Sequence, residues 1–235
     1  MKRMFAILCV ILSLIFCGTA FAEEVNDVTY TSATYSSRGY SISLMWEEGI
    51  QEDDELREFI LDAFFNQYSA IRETFGTTDD RTVTVCLTKG TENYISSEKG
   101  IYMSYEDLKN NERTRNTLIW FFVNKVANGH PNPEQNPEID ALSLGFQYYA
   151  ANTYAICPDA LVWMPDYEDG QQLTDNGQVA AAFITWVAQN YGEMVPVRLN
   201  RVLHDGYYDH HDFWISAAGN TLENLWQQYA EQSAK

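Results

Sequence analysis

Few residues in this chain combine the type and spacing that chemistry demands. There are four histidines: His130, His204, His210 and His211. Only His210-His211-Asp212 groups side chains of metal-ligating type. Adjacent residues on a helix or strand point in different directions, so such a pair rarely chelates one ion, and a solvated loop is the simpler expectation. No Gly-x-Ser-x-Gly elbow or phosphate-binding loop occurs, and neither Cys86 nor Cys157 stands with a histidine in a recognisable nucleophile arrangement. The 33 acidic residues offer many carboxylate pairs of the kind that cleave glycosidic bonds, but the sequence singles out none. Aromatics are plentiful, with 15 Tyr, 12 Phe and 6 Trp. Tyr148, Tyr149 and Tyr154 fall on or just after one predicted helix, and Trp163 falls in an acidic loop. Exposed, such rings suit sugars or peptides; turned inward, they pack a core.

The electrostatics narrow the partners. Fifteen basic against 33 acidic residues give a net charge of −18 in 235 residues. That surface repels phosphate backbones and anionic membranes, so nucleic acid is not an expected partner. Met1–Ala22 reads as a secretory signal: Lys2 and Arg3, an apolar run from Met4 to Phe16, then Ala20-Phe21-Ala22 as an A-x-A site. Cleavage after Ala22 leaves 13 basic and 33 acidic residues, a charge of −20, in a secreted or periplasmic protein. No later segment is apolar for long enough to span a membrane. Export removes Cys9 and Cys17. Cys86 and Cys157 then either form one disulfide, closing a loop of about 70 residues and contributing roughly 4 kcal/mol, or remain two buried thiols.

The elements that would position these residues are legible from periodicity. Tyr40, Ile42, Leu44 and Trp46 alternate with Ser41, Ser43 and Met45 as a half-buried strand, and Glu23–Gly39 reads as an extended lead-in with room for one strand. Glu52-Asp53-Asp54-Glu55 opens a helix that Gly76 ends. Arg81–Thr88 and Gly100–Ser104 are strands with a loop between them. The helix predicted over Arg113–Asn128 is apolar on nearly every face and so belongs at the centre of the domain. Helices over Ile139–Thr153, Gln178–Asn190 and Met194–His204 follow, with an acidic loop from Cys157 to Asn176. Asn220 with Glu223 forms a capping box for a final helix. The expected class is α+β in a single domain over residues 23–235: a small N-terminal β-sheet with a helix, then a mainly helical part.

Three segments carry a family resemblance. They are Gly177–Trp186 before Tyr191-Gly192, Val197-Arg198-Leu199-Asn200 followed by Asp205-Gly206-Tyr207-Tyr208-Asp209, and Leu225-Trp226-Gln227-Gln228-Tyr229. In order and spacing, from about Tyr40 to Tyr229, the chain resembles the plant and bacterial basic secretory protein family, a set of zinc metallopeptidases. The resemblance implies a zincin-like fold whose central helix carries His-Glu-x-x-His: two histidines on one helix face for zinc, and a glutamate to activate the metal-bound water. On that frame the histidine positions are Trp120 and Asn124, and the glutamate position is Phe121. In the next helix Gly145 matches, but Leu144 and Tyr148 stand where acids are implied.

Trp and Phe ligate no metal and abstract no proton. The resemblance thus carries the fold without catalytic or metal-binding residues, and without the family's basic character. The resulting expectation is a cofactor-free, extracytoplasmic pseudoenzyme binding a peptide or glycan in a remnant cleft beside Asn128, His130 and Tyr149. The alternatives are a metal-dependent hydrolase that recruits His130 or the His210/His211 pair to zinc, and a structural envelope protein.

Overall fold

The computed structural model describes residues 20–25, 28–77, 79–96, 100–127 and 136–233. Of the expected signal, only Ala20–Ala22 falls within them, and Asn128 and His130 lie outside. The architecture is the expected α+β: six strands and the first helices, then an almost entirely helical remainder among the described residues. Two compact units result. Unit 1 takes the described residues up to Ser69 together with Asp80–Phe121; unit 2 takes Ala70–Asp79 and the chain from Phe122.

Unit 1 is built on a mixed sheet of β1 (Ala20–Val25), β2 (Val28–Ser37), β3 (Tyr40–Glu47), β4 (Thr82–Thr88), β5 (Tyr94–Ile95) and β6 (Ile101–Ser104), in the order β1-β2-β3-β4-β6-β5. The lead-in is therefore two antiparallel strands, not one. β2 turns into β3 through Arg38 and Gly39, both at positive φ (52° and 81°), the tight hairpin geometry whose twist matches its strands. β3, β4 and β6 run parallel, and β5, within the segment expected to be loop, closes the edge antiparallel to β6. Alternation places Ile42, Leu44, Trp46, Val83, Val85, Leu87 and Ile101 on one buried face.

Helix α1 (Asp54–Asp62), a π-helical stretch (Ala63–Tyr68) and α2 (Ser69–Phe75) follow one another without a break over the segment predicted as a single helix. Asp53 caps α1 by accepting the Leu56 N–H at 3.0 Å, so part of the acidic run serves the helix start. Phe64 and Tyr68 meet Tyr40 edge-on at 6.3 Å and so carry the helix onto the sheet. α3 (Tyr105–Asn110), capped by Ser104, precedes α4 (Glu112–Val126), whose Leu118, Ile119, Phe121, Phe122, Val123 and Val126 are buried as its all-round apolarity predicts.

In unit 2, α5 (Pro137–Thr153) and α6 (Gly177–Tyr191) cross closely. A Cβ on Gly145 would stand 2.6 Å from Ala180 Cβ, and one on Gly177 would stand 2.4 Å from Leu144 Cγ. Only glycine fits either point. α7 (Met194–His204) sends the buried Asn200 amide to the Phe75 carbonyl at 2.8 Å, satisfying one of the orphan acceptors at the end of α2. α8 (His210–Ala218) and α9 (Leu222–Ser233) complete the unit. Phe183, Trp186, Trp214, Trp226 and Tyr229 form one aromatic cluster among α6, α8 and α9.

Candidate functional site

The motif positions serve packing. Phe121 is buried, Trp120 and Asn124 are partly so, and Trp120 tilts against Phe121 with ring centroids 5.3 Å apart. On α5, Leu144 covers Gly177, so the position where the resemblance implies an acid holds a helix crossing closed. Tyr148 is half-buried. Tyr149, expected to border a cleft, is only 8% exposed and packs on Phe146 at 6.4 Å, so its ring belongs to the core and does not line an open groove. Nearby, Ala127, Ser143, Phe146, Gln147, Asn200, Leu203 and His204 surround a hollow of about 20 Å³. Ser143 Oγ is buried there without a hydrogen-bond partner. That volume holds about one water, not a sugar ring or a peptide side chain. Cys86 and Cys157 carry thiols, not a disulfide; Cys86 is buried against Met45, with Sγ 3.7 Å from Sδ.

A more open surface lies in the acidic loop after α5. It is anchored chiefly in two places, at the Val162 backbone and through the Tyr167 ring. The Asn152 side chain, in the last turn of α5, takes both backbone groups of Val162: its Nδ2 donates to the carbonyl at 3.0 Å and its Oδ1 accepts the N–H at 2.9 Å. The Thr185 hydroxyl donates to the Ala181 carbonyl at 2.8 Å and only approaches Met164 Sδ, at 3.6 Å. Tyr167 packs edge-on to Trp226 and Tyr229 near 6 Å. With Val162 held on one side of an extended segment, its neighbours Leu161 and Trp163 face solvent, and Trp163 is 68% exposed. An indole presented on fixed backbone loses little entropy on binding. From Cys157 to Asn176 the loop carries Asp159, Asp166, Glu168, Asp169 and Asp175 and no basic residue, so it favours neutral or cationic ligands.

The histidine pair has a different setting from a solvated loop. His210 opens α8, and Asp209 caps that helix by accepting the N–H groups of His211 and Asp212. His210 Nδ1 lies 2.8 and 2.9 Å from the two Glu138 oxygens, and Nε2 lies 2.7 Å from Glu223 Oε1. Tyr208 donates to Glu138 at 2.5 Å, and Trp214 Nε1 donates to the Tyr208 hydroxyl at 2.8 Å. A carboxylate on each ring nitrogen favours the doubly protonated, cationic imidazole, which can donate to both. These hydrogen bonds raise the His210 pKa above its usual 6.5 and pull Glu223 down to about 2. Burial, then the Glu138 carboxylate, push the Tyr208 phenol up.

Both His210 nitrogens are engaged, so the ring joins the first turns of α5, α8 and α9 and, while doubly hydrogen-bonded, has no nitrogen lone pair for a metal. Among the described residues, no group of three or more His, Cys, Asp or Glu side chains is placed to hold a metal ion. The spacing predicts Glu223 as a capping-box partner of Asn220. Thr221 accepts the Asn224 N–H instead, and Glu223 turns to His210. No periodicity could have paired Glu138, His210 and Glu223, which are remote in sequence.

Compared with protein families, curated proteins and solved structures, the chain matches none. No helix among the described residues is long and apolar enough to cross a membrane.

Proposed function

We propose that this chain is an exported, non-catalytic binding protein, a divergent relative of the basic secretory peptidases, that takes a peptide or a glycan. The observation that carries the reading is Trp163, an exposed indole on a loop anchored through Asn152 and Tyr167. Two further features support it. Trp120, Phe121 and Asn124 occupy the positions from which the resemblance would have zinc held and water activated. The five acids and absent bases of the loop suit an uncharged or basic ligand.

Isothermal titration against panels of neutral oligosaccharides and basic peptides tests the proposal, with Trp163→Ala as the control. Saturable binding by the native chain that Trp163→Ala weakens is the expected result. One equivalent of tightly held zinc in protein purified without chelators, with peptide hydrolysis that a chelator abolishes, would replace this reading by a metal-dependent hydrolase.

A further inference from the structure

The sheet of unit 1 has a second face, and its chemistry is unlike the rest of the chain. Opposite the buried face, the register aligns Ser36, Ser41 and Thr82 in one row across β2, β3 and β4. It aligns Thr34, Ser43 and Thr84 in the next. The hydroxyls pair across strands, Thr34 with Ser43 at 2.9 Å and Ser36 with Ser41 at 2.7 Å. A hydroxyl has one proton and two lone pairs, so the Thr34–Ser43 pair keeps one proton for an outside partner, whereas Ser41 also donates to the Tyr35 carbonyl at 3.5 Å and its pair with Ser36 offers mainly lone pairs. The third row runs through Met45 and Cys86 to Tyr102 and, on the edge strand, Tyr94.

Here the rows end in rings. Tyr94 and Tyr102 stack with centroids 4.8 Å apart and planes 1° from parallel, and Tyr94 is 46% exposed. Tyr30 joins them over Met45 and Cys86, in a cluster drawn only from strand residues among the described ones. Among the described residues, no helix contributes to it. Burial pushes the Tyr30 and Tyr102 phenols up to about 12, so they remain neutral near pH 7.

Charge selects the occupant. These three rows themselves contain no Asp, Glu, Lys or Arg, and carboxylates stand at their margins: Glu47 in register with Tyr30, and Asp80 accepting the Thr82 N–H at 3.0 Å. A polyanion would be repelled by the net −18, a basic peptide would be drawn to acidic segments such as the loop, and a second copy would bring its own −18. An uncharged polyhydroxyl chain fits what remains: hydroxyl rows for its oxygens and a flat aromatic end for a sugar face. We infer that the hydroxyl face of this sheet, with the stacked Tyr94–Tyr102 pair at its edge, binds a neutral glycan. This site shares no residue with the Trp163 loop and does not rest on that reading.

Affinity electrophoresis of the full mature chain through gels containing soluble neutral glucan, xylan or mannan, followed by titration with the matching hexasaccharide, tests the inference. Tyr94→Ala and Thr82→Lys alter exposed side chains and should melt like the native chain; circular dichroism checks this. At least one glycan should retard the native chain, and each substitution should weaken that binding about tenfold, as lost stacking or an intruding charge predicts. Retardation by no neutral glycan overturns the inference, as does equal binding by both variants. Glycan binding lost in Trp163→Ala but kept in Tyr94→Ala and Thr82→Lys refutes the sheet site while leaving the loop reading intact. The reverse pattern supports the sheet and removes the loop.

Discussion

Replacing His210 by alanine should loosen the junction of α5, α8 and α9, and the size and pH dependence of the effect follow from the geometry. His210 donates to Glu138 within 2.9 Å and to Glu223 at 2.7 Å. The side chains of His210 and Glu138 are 35% and 20% exposed, whereas Glu223 is 63% exposed. A half-buried charge-assisted hydrogen bond contributes about 1.5–3 kcal/mol, and solvent screening places the Glu138 contact at the low end. The Glu223 contact adds little. Removing the imidazole also leaves Glu138 with only the Tyr208 hydroxyl among these partners. A loss of about 2 kcal/mol is expected, which for a chain of this size lowers the melting temperature by roughly 4–8 °C.

The pH window has a definite sign. His210 has a raised folded-state pKa, so its contribution is complete below the unfolded value of 6.5 and is lost as pH rises through the folded value. Glu223 has a lowered one, so its contribution is complete above the unfolded 4.5 and is lost as pH falls toward about 2. Asp209, also held low by its bonds to the α8 N–H groups, and His211, with its ring 5.1 Å from that of His210, complete the local charges. Calorimetric melts of native chain and His210→Ala at pH 5.5 and pH 9 measure the difference. The gap should be widest near pH 5.5 and narrow at pH 9. Equal melting at pH 5.5, or a gap that widens in alkali, would falsify the clamp.

Three further outcomes follow from named contacts. Gly145→Ala should cost about 3 kcal/mol through overpacking, read as a lower denaturation midpoint, because its Cβ would meet Ala180 Cβ at 2.6 Å. Asn152→Ala removes both bonds to Val162 and should destabilise by about 1–2 kcal/mol; proteolysis of the 157–176 loop should quicken, and ligand affinity should fall with it. Trp163→Ala should leave thermal stability within about 0.5 kcal/mol while weakening ligand at least tenfold, a split that a packing residue would not give.

Much of this architecture was written in local pattern. The alternation Tyr40, Ile42, Leu44, Trp46 decided which face of β3 is buried, and the all-round apolarity of α4 foretold its burial, because side-chain direction follows the backbone period. The α+β order was readable for the same reason. Short elements were not: β5 has two residues, and α3 has six, too few for a period to show. α8 begins at the histidine pair that reads as loop, its aromatic Phe213 and Trp214 giving no clear helical stripe before packing is known. The expectation that Trp120, Phe121 and Asn124 stand at zinc-site positions also comes from sequence alone, through the proposed resemblance, since residue identity needs no coordinates. The tertiary structure alone decided that Tyr149 is core and Trp163 surface, that Glu138, His210 and Glu223 meet across dozens of residues, and that six hydroxyls align on one sheet face. Each of these is a relation between segments, set by register and helix crossing, and a one-dimensional pattern carries no term for it.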